Sequence, residues 1–367
     1  MFVKIESKSI NSIKSNGVLQ QTSWWADVKC RQGYDPRAFH LKLDQDDTYP
    51  KTDDILVIMR EDLAKNKRMA YIPYGPEILP HEDHAGIFLE DIAENLRPHL
   101  PNDCNMIRFD LKWESPWLKD ENRYNNRNEW IGLPPEQTQE LRMNFCTENH
   151  NLYKAPGDIL PSSTIYLDLE KSKEELLSKM KPKTRYNIRL SKRHKIQVRE
   201  ADENDLYIWY ELYKETAKRN HIFCHHFSTF ENMMEANNQN PENKTGTIML
   251  VAEHENEPLA AMWLGISSVQ ATYLYGASSV RKRNLMPSYA LQWAAICRAK
   301  DLGCKYYDMF GIAPTDNPAH PMHGLFRFKR GFGGQHFLRY GCWDYPFDHA
   351  VYQQFRSLEM KAKGYHL

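Results

Sequence analysis

Apolar residues in this chain fall into short alternating runs, and between the runs they recur at helical spacing. Phe39–Leu43, Ile55–Arg60 and Met69–Tyr74 read as strands, the last ended by Gly75-Pro76. The polar stretch Asp44–Asp53 joins the first two as a hairpin loop. His84–Arg97 sets Ile87, Phe88, Ile92 and Leu96 on one face, which predicts a helix. Asn105–Leu111 is the next strand and carries Asp110. Upstream, Ser23 is placed as the N-cap of a helix containing Trp24, Trp25 and Lys29.

After a polar connection at Trp113–Leu133 and a crossing at Pro156–Pro161, a similar series follows. Ser163–Leu169 reads as a strand, Lys171–Arg193 as a basic helix and Asp202–Asn220 as an amphipathic helix. Thr247–Glu253, Ala260–Ser267 and Thr272–Gly276 predict a three-strand meander. Pro287 opens a helix that runs to Leu302, with Gly303 at its C′ position. Tyr306–Phe310 and Phe337–Tyr345 are strands, and Ala350–Lys363 is a closing helix.

The two halves echo one another. Tyr71-Ile-Pro-Tyr74-Gly75 precedes a helix and then the Asp110 strand. Tyr273-Leu-Tyr275-Gly276 precedes a helix and then the Asp308 strand. Tyr74 and Asp110 are 36 positions apart, Tyr275 and Asp308 33. The expectation is an α+β fold of two tandem units, each a mixed sheet flanked by helices, with a ligand-binding cleft between them.

Length agrees, since 367 residues exceed one ordinary core. A hydrophobic fraction of 41% with 26% charge is that of a soluble globular protein, and no apolar run is long enough to span a bilayer. The N-terminal residues show no secretory pattern. The 48 basic and 48 acidic residues cancel, which disfavours a globally basic nucleic-acid binder and leaves room for a local patch. Seven scattered cysteines without a Cys-x-x-Cys pair read as free thiols in a reducing cytoplasm.

One local patch is evident. Nine basic residues lie between Lys179 and Arg199 with no acid among them, Lys183, Arg185 and Arg189 included. They suit a polyanion such as tRNA, or equally a solvated helix face. The loop ahead of Pro287 carries Arg281, Lys282 and Arg283 but no glycine. Acyl-CoA-dependent acetyltransferases place a glycine-rich pyrophosphate loop there, so its absence argues against CoA. The histidines have no metal-site spacing, and no metal or other cofactor is expected. In Phe326-Arg-Phe328-Lys329-Arg-Gly-Phe-Gly-Gly, a lysine among aromatic residues near a glycine-rich turn can present a cation to an oxyanion in acyl transfer. An ordinary surface lysine at a strand end is the plain alternative.

Taken in order, these residues resemble the Fem family of peptidoglycan bridge-forming aminoacyltransferases. Carrying the resemblance are Trp24-Trp25 with Lys29, Tyr74–Glu77, Asp110, Tyr275–Ser278 with the Pro287–Gly303 helix, Tyr307-Asp308, and Phe328-Lys329 with Gly-Phe-Gly-Gly. The resemblance implies two acetyltransferase-like domains, 1–157 with 341–367 and 158–340, and no CoA. The expectation is a cytoplasmic monomer, with a peripheral place at the inner membrane face as the alternative. The implied reaction moves an amino acid from aminoacyl-tRNA to the peptide amine of a UDP-linked or lipid-linked muropeptide. The space between Asp202 and Thr247 leaves no room for the helical arm of some members.

By the same resemblance, Lys29 meets the precursor's diphosphate, Tyr74 and Tyr275 line its pocket, and Phe328-Lys329 is the pair whose lysine stabilises the transition state. Asp110 matches a proposed base. His226 and Phe230 stand where relatives have an arginine and a tyrosine. Lys183, Arg185, Arg189, Arg281 and Arg283 are the expected tRNA contacts. Two alternatives remain open at this point: an N-acyltransferase with another acyl donor, and a non-catalytic muropeptide- or tRNA-binding protein.

Overall fold

The computed structural model describes residues 2–15, 17–44, 52–61, 67–126, 130–239 and 245–361. Most of the Asp44–Asp53 loop lies outside them. The chain divides into two compact units, Met1–Ser162 with Leu338–Leu367, and Ser163–Phe337.

The first unit begins with β1 (Phe2–Lys8), α1 (Ser23–Arg31), β2 (Asp35–Asp44), β3 (Thr52–Glu61) and β4 (Arg68–Pro73). Then come α2 (Ala85–Leu96), β5 (Cys104–Glu114), α3 (Glu136–Met143) and the two-residue β6 (Tyr153–Lys154). The second unit holds β7 (Ser163–Asp168), α4 (Lys173–Lys179), α5 (Pro182–Arg193), β8 (Gln197–Ala201), α6 (Leu206–Asn220) and α7 (Phe227–Gln239). It continues through β9 (Gly246–His254), β10 (Glu257–Ile266), β11 (Gln270–Ser278), α8 (Pro287–Asp301), β12 (Tyr306–Asp308) and α9 (His323–Arg330). Strand β13 (Gln335–Pro346) and helix α10 (His349–Lys361) return the chain to the first unit.

Both units follow one plan. In the first, β1 to β4 form an antiparallel meander, α2 carries the chain back so that β5 lies parallel to β4, and β13 pairs antiparallel with β5. In the second, β8 to β11 form the meander, α8 makes the crossover, β12 lies parallel to β11, and β7 pairs antiparallel with β12. This is the α+β, acetyltransferase-like arrangement expected from the sequence, present twice. A strand followed by a helix and a parallel strand is the connection that sheet twist favours. Each unit has its own apolar core. The first packs Phe88, Ile92 and Leu96 of α2 on Ile55, Val57 and Ile72, and the second packs Leu291, Ala295 and Ile296 of α8 on Met262 and Leu264.

Register refines the internal comparison. Pro73 pairs with Asp110, and Thr272 pairs with Asp308. With the two aspartates matched, the residue that follows each pair is Tyr74 in one unit and Tyr273 in the other. The sequence comparison set Tyr74 against Tyr275 and so was two positions out.

Several local expectations are corrected. Thr22 caps α1, its hydroxyl accepting from the Trp25 N–H at 3.2 Å, and Ser23 is the first helical residue. Lys171–Arg193 is two helices. A capping box between Ser172 and Glu175 starts α4, which stops before Met180, and Pro182 starts α5. Phe326–Arg330, for which a strand end was the plain alternative, lies on helix α9.

The closing segment is fastened to the first unit by a buried charge cluster. Arg108 on β5 donates to both oxygens of Asp344, at 2.6 and 2.8 Å, and of Glu359, at 2.6 and 2.8 Å. All three side chains are sealed from solvent.

Candidate functional site

Lys329 has the most constrained chemistry in the second unit. It lies on the last turn of α9 and is only 4% exposed. Its ammonium donates to the carbonyls of Gly311, at 2.7 Å, and Phe310, at 3.2 Å, and stands 5.0 Å from the centre of the Tyr273 ring. Burial pushes its pKa down to about 7, against the nearby Asp308, which raises it. An ammonium has three donors, and two carbonyls occupy two of them. The adjoining Phe328 packs edge-on to Tyr289, at 5.1 Å, and Phe332, at 5.3 Å, so the lysine is set in an aromatic surround.

The carbonyls are aimed by the turn after β12. Phe310 has φ 58°, a left-handed conformation that costs a bulky residue free energy. Asp308 holds that turn by accepting from the Phe310 N–H at 2.8 Å and from the Thr164 hydroxyl at 2.5 Å. The glycine-rich turn Gly331–Gly334 has a packing role. A β-carbon on Gly331 would fall 2.4 Å from Thr184 Oγ1, on Gly333 2.4 Å from the Lys179 carbonyl and on Gly334 2.4 Å from the Tyr166 carbonyl. Glycine lets the chain thread past α4, α5 and β7 directly after the lysine.

Tyr275 is half-buried on β11 within a ring cluster of Tyr213, Phe230 and His225. Burial raises the Tyr275 hydroxyl pKa to about 12, so it stays protonated at neutral pH. Of the three residues assigned to this pocket, the structure brings Tyr275 and Phe230 together, with ring centres 5.3 Å apart, and leaves His226 outside the cluster. Phe230 is wholly buried, packed on Trp209 and Trp263, and has no surface to offer a ligand. His226 is exposed. Its neighbour His225 is the histidine beside Tyr275, with ring centres 5.8 Å apart. A His-His pair at a loop-to-helix junction does not reveal which ring turns inward.

In the first unit, Lys29 and Arg60 alternate with aromatic rings. The Lys29 ammonium lies 5.0 Å from the Trp25 ring and 5.5 Å from Tyr34, and the Arg60 guanidinium lies 5.7 Å from Tyr34 and 5.6 Å from Tyr71. Lys29 also donates to Gln32 Oε1 at 2.8 Å. Burial first, and repulsion from Arg60 second, bring its pKa down to about 8. Two cations held near each other, with no carboxylate between them among the described residues, suit an anionic ligand.

The remaining two predicted residues of this unit are enclosed. Tyr74 is buried, donates its hydroxyl to the Pro161 carbonyl at 2.7 Å and packs under the Arg339 guanidinium at 4.6 Å. Asp110 is fully buried and accepts from the Tyr71 hydroxyl at 2.8 Å and the Leu160 N–H at 2.9 Å. Burial, with the nearby Asp158, lifts its pKa to about 6. A raised pKa suits a base, but a carboxylate with no open face has no path to a substrate amine.

A model of the FemAB family matches residues 11–244 and 236–360. The chain belongs to the FemAB family. An aminoacyltransferase FemA of Staphylococcus epidermidis is 30% identical over 115 residues, which cover 31% of this chain and 28% of that protein. A lipid II:glycine glycyltransferase of Staphylococcus haemolyticus is 22% identical over 255 residues, covering 53% and 61%. The chain thus spans between about a quarter and three-fifths of the curated relatives it matches. The crystal structure of FemX superimposes with a TM-score of 0.73 at 17% identity, covering 96% of this chain and all of that one, and shows a shared fold.

On this FemAB chain the basic segment becomes a helix face. Lys183, Arg189, Lys192 and Arg193 are exposed on α5 around Tyr186, itself 53% exposed. Arg193 stacks on Tyr186 at 5.8 Å. Among the described residues none of these four cations has a carboxylate partner. Arg185 instead folds back on the Ser178 and Met180 carbonyls. Arg281 and Lys282 share the single carboxylate of Glu257, at 2.9 and 2.8 Å, and among the described residues Arg283 has no ion pair, so the loop keeps a net positive charge. No group of three or more metal-ligating side chains gathers among the described residues, and no described helix is long and apolar enough to cross a membrane.

Proposed function

We propose that this chain transfers an amino acid from aminoacyl-tRNA to the peptide amine of a peptidoglycan precursor. The observation that carries the reading is the desolvated Lys329 on two main-chain carbonyls, in a chain of the FemAB family. Relatives named as an aminoacyltransferase and as lipid II:glycine glycyltransferases support the reaction class and a muropeptide acceptor.

In this reading the acceptor amine attacks the ester carbonyl of the donor. A nitrogen–carbon bond forms, and the carbonyl oxygen takes up negative charge. The third N–H of the Lys329 ammonium meets that oxygen. In a site closed to water, such a contact is worth far more than it is in solvent. Collapse breaks the ester carbon–oxygen bond, and the proton shed by the amine leaves on the ribose oxygen. Asp110 takes no proton here, because it is enclosed. The ester is already activated, so the protein supplies positioning and charge rather than a covalent intermediate. Lys29 and Arg60 supply the cationic contact for a precursor diphosphate, Tyr275 forms a pocket wall, and the α5 face with Arg283 meets the tRNA backbone.

The test is transfer of a radiolabelled amino acid from a panel of charged tRNAs, with UDP-linked and lipid-linked muropeptides as acceptors in parallel. The reading expects label in one muropeptide class with at least one tRNA. Label transferred only from a non-tRNA acyl donor, or tight binding of both substrates with no transfer, would replace it.

A further inference from the structure

We propose that Asp308 and Thr164 form a positioning pair that sets the Lys329 ammonium through the turn at Phe310. The inference rests on the proposed reaction, and it names two residues that the sequence did not single out for the site.

The chain of contacts is continuous. Thr164 on β7 is fully buried, and its hydroxyl donates to Asp308 Oδ1 at 2.5 Å while lying 3.2 Å from the Phe310 carbonyl oxygen. The same Oδ1 accepts the Phe310 N–H at 2.8 Å. The N–H bond folds the chain back immediately after the strand, and Phe310 takes its left-handed φ of 58°. In that conformation two successive carbonyls, those of Phe310 and Gly311, converge on one nitrogen at 3.2 and 2.7 Å. An extended chain would point them to opposite sides. The strained turn is what converges them, and Asp308 is what holds the turn.

Asp308 has a second effect, through charge. It is fully buried, and its attraction for the ammonium opposes the cost of burying Lys329. Among the described residues, the titratable groups that face Lys329 are Asp308 from β12 and Tyr273 from β11. Tyr307, the neighbour of Asp308, is buried and donates no charge near neutral pH, and its hydroxyl meets Gln292 at 2.5 Å. Asp308 is therefore the one carboxylate in this set that sets the charge state of the lysine. Its topological counterpart Asp110 performs a different task, holding Tyr71 and Leu160, so the duplicated position has diverged in use.

Three variants and two readouts test this. Asp308→Asn keeps an oxygen that accepts the Phe310 N–H but loses the charge. Thr164→Val removes the hydroxyl and leaves the charge, and Thr164→Ser restores the hydroxyl. The Lys329 ammonium is followed by NMR on lysine-labelled protein, its signal identified by its loss in Lys329→Met. In Asp308→Asn the Lys329 titration moves to lower pH by about 1 or more, and kcat falls about 100-fold with KM changed by less than about threefold. Thr164→Val lowers kcat in the same way, and Thr164→Ser recovers most of it. The inference is overturned if folded Asp308→Asn leaves the lysine titration where it was, or if Thr164→Ser is as impaired as Thr164→Val. The NMR titration does not depend on turnover. If the wild-type chain transfers nothing, the proposed reaction fails while the Asp308–Lys329 link is still decided.

Discussion

The hydroxyl of Tyr273 occupies the space that a β-carbon on Gly276 would need, the two being 1.7 Å apart. Because Tyr273 also lies under the Lys329 ammonium, the glycine guards the position of the ring that faces the lysine. Gly276→Ala forces the ring to move, and since both residues are on β11 the strain stays local. Transfer activity is expected to fall at least about tenfold, with a loss of about 1–3 kcal/mol in stability. Tyr273→Phe combined with Gly276→Ala removes only the nearest clashing atom, since ring carbons would still lie 2.5 and 2.8 Å from the β-carbon, and restores only a small part of the stability. Paired denaturation curves and initial rates check both statements.

Lys329→Met retains the fold and loses transfer by about 100- to 1,000-fold in kcat. The wild-type rate depends on the ammonium, so kcat falls as pH rises through about 7. Stability moves the other way. The folded pKa is depressed, so between about 7 and the unfolded value near 10.5 the unfolded chain binds more protons, and wild-type stability rises with pH across that window. Lys329→Met lacks this dependence. Its stability relative to wild type is greatest below pH 7 and declines toward pH 10, which urea denaturation at stepped pH measures.

Asp110→Asn is expected to change stability more than rate, because the carboxyl holds Tyr71 and Leu160 inside the first unit. Its folded pKa, about 6, lies above the unfolded value of 3.8. The folded chain binds more protons between those limits, so this group's contribution falls as pH rises from about 4 through 6. The Asn variant shows a shallower slope over that range. Some slope persists, since Asp53 is also raised to about 6 by burial. A transfer loss above about 100-fold in a well-folded Asp110→Asn would return it to the reacting centre.

Lys183→Glu with Arg189→Glu reverses charge on the exposed α5 face without touching Lys329. Binding to charged tRNA weakens, and the slope of log affinity against log salt shrinks by about 1 for each phosphate that the face no longer neutralises. The rate at saturating tRNA is unchanged. A filter-binding titration at several salt concentrations gives both values, and an unaltered slope would mean that the face is merely solvated.

Arg108→Met leaves Asp344 and Glu359 buried without a cation and destabilises the first unit by about 3–5 kcal/mol. Glu359→Gln keeps the Arg108–Asp344 pair and costs much less. Comparing their thermal midpoints separates a network built on one guanidinium from two independent bridges.

Much of this architecture was visible as periodicity. Strand alternation and helix spacing located most elements of both sheets, and the repeated order of strand, helix and strand announced the duplication. Register was not visible, because a repeat distance in sequence does not count the residues consumed by turns. Tyr275 was therefore matched to Tyr74 where strand pairing favours Tyr273. Phe326 and Phe328 alternate with Arg327 and Lys329, which imitates a strand, and only the surrounding packing makes them a helix. Lys329 was found from its aromatic neighbours. Asp308 was marked only as the echo of Asp110 and Thr164 not at all, because a lone threonine on a strand gives no sign of its partner 144 positions away.

The order of the units along the chain has a consequence for synthesis. Residues 163–337 form a contiguous unit, whereas the first unit needs 338–367 to be complete. A ribosome therefore releases a finished second unit before the first can close. Until residues 344 and 359 emerge, Arg108 is a cation on a strand that is paired with β4 on one side and has no neighbour yet on the other. The N-terminal half must wait as an open sheet edge during translation, and a stalled or truncated chain would expose that edge to aggregation and proteolysis.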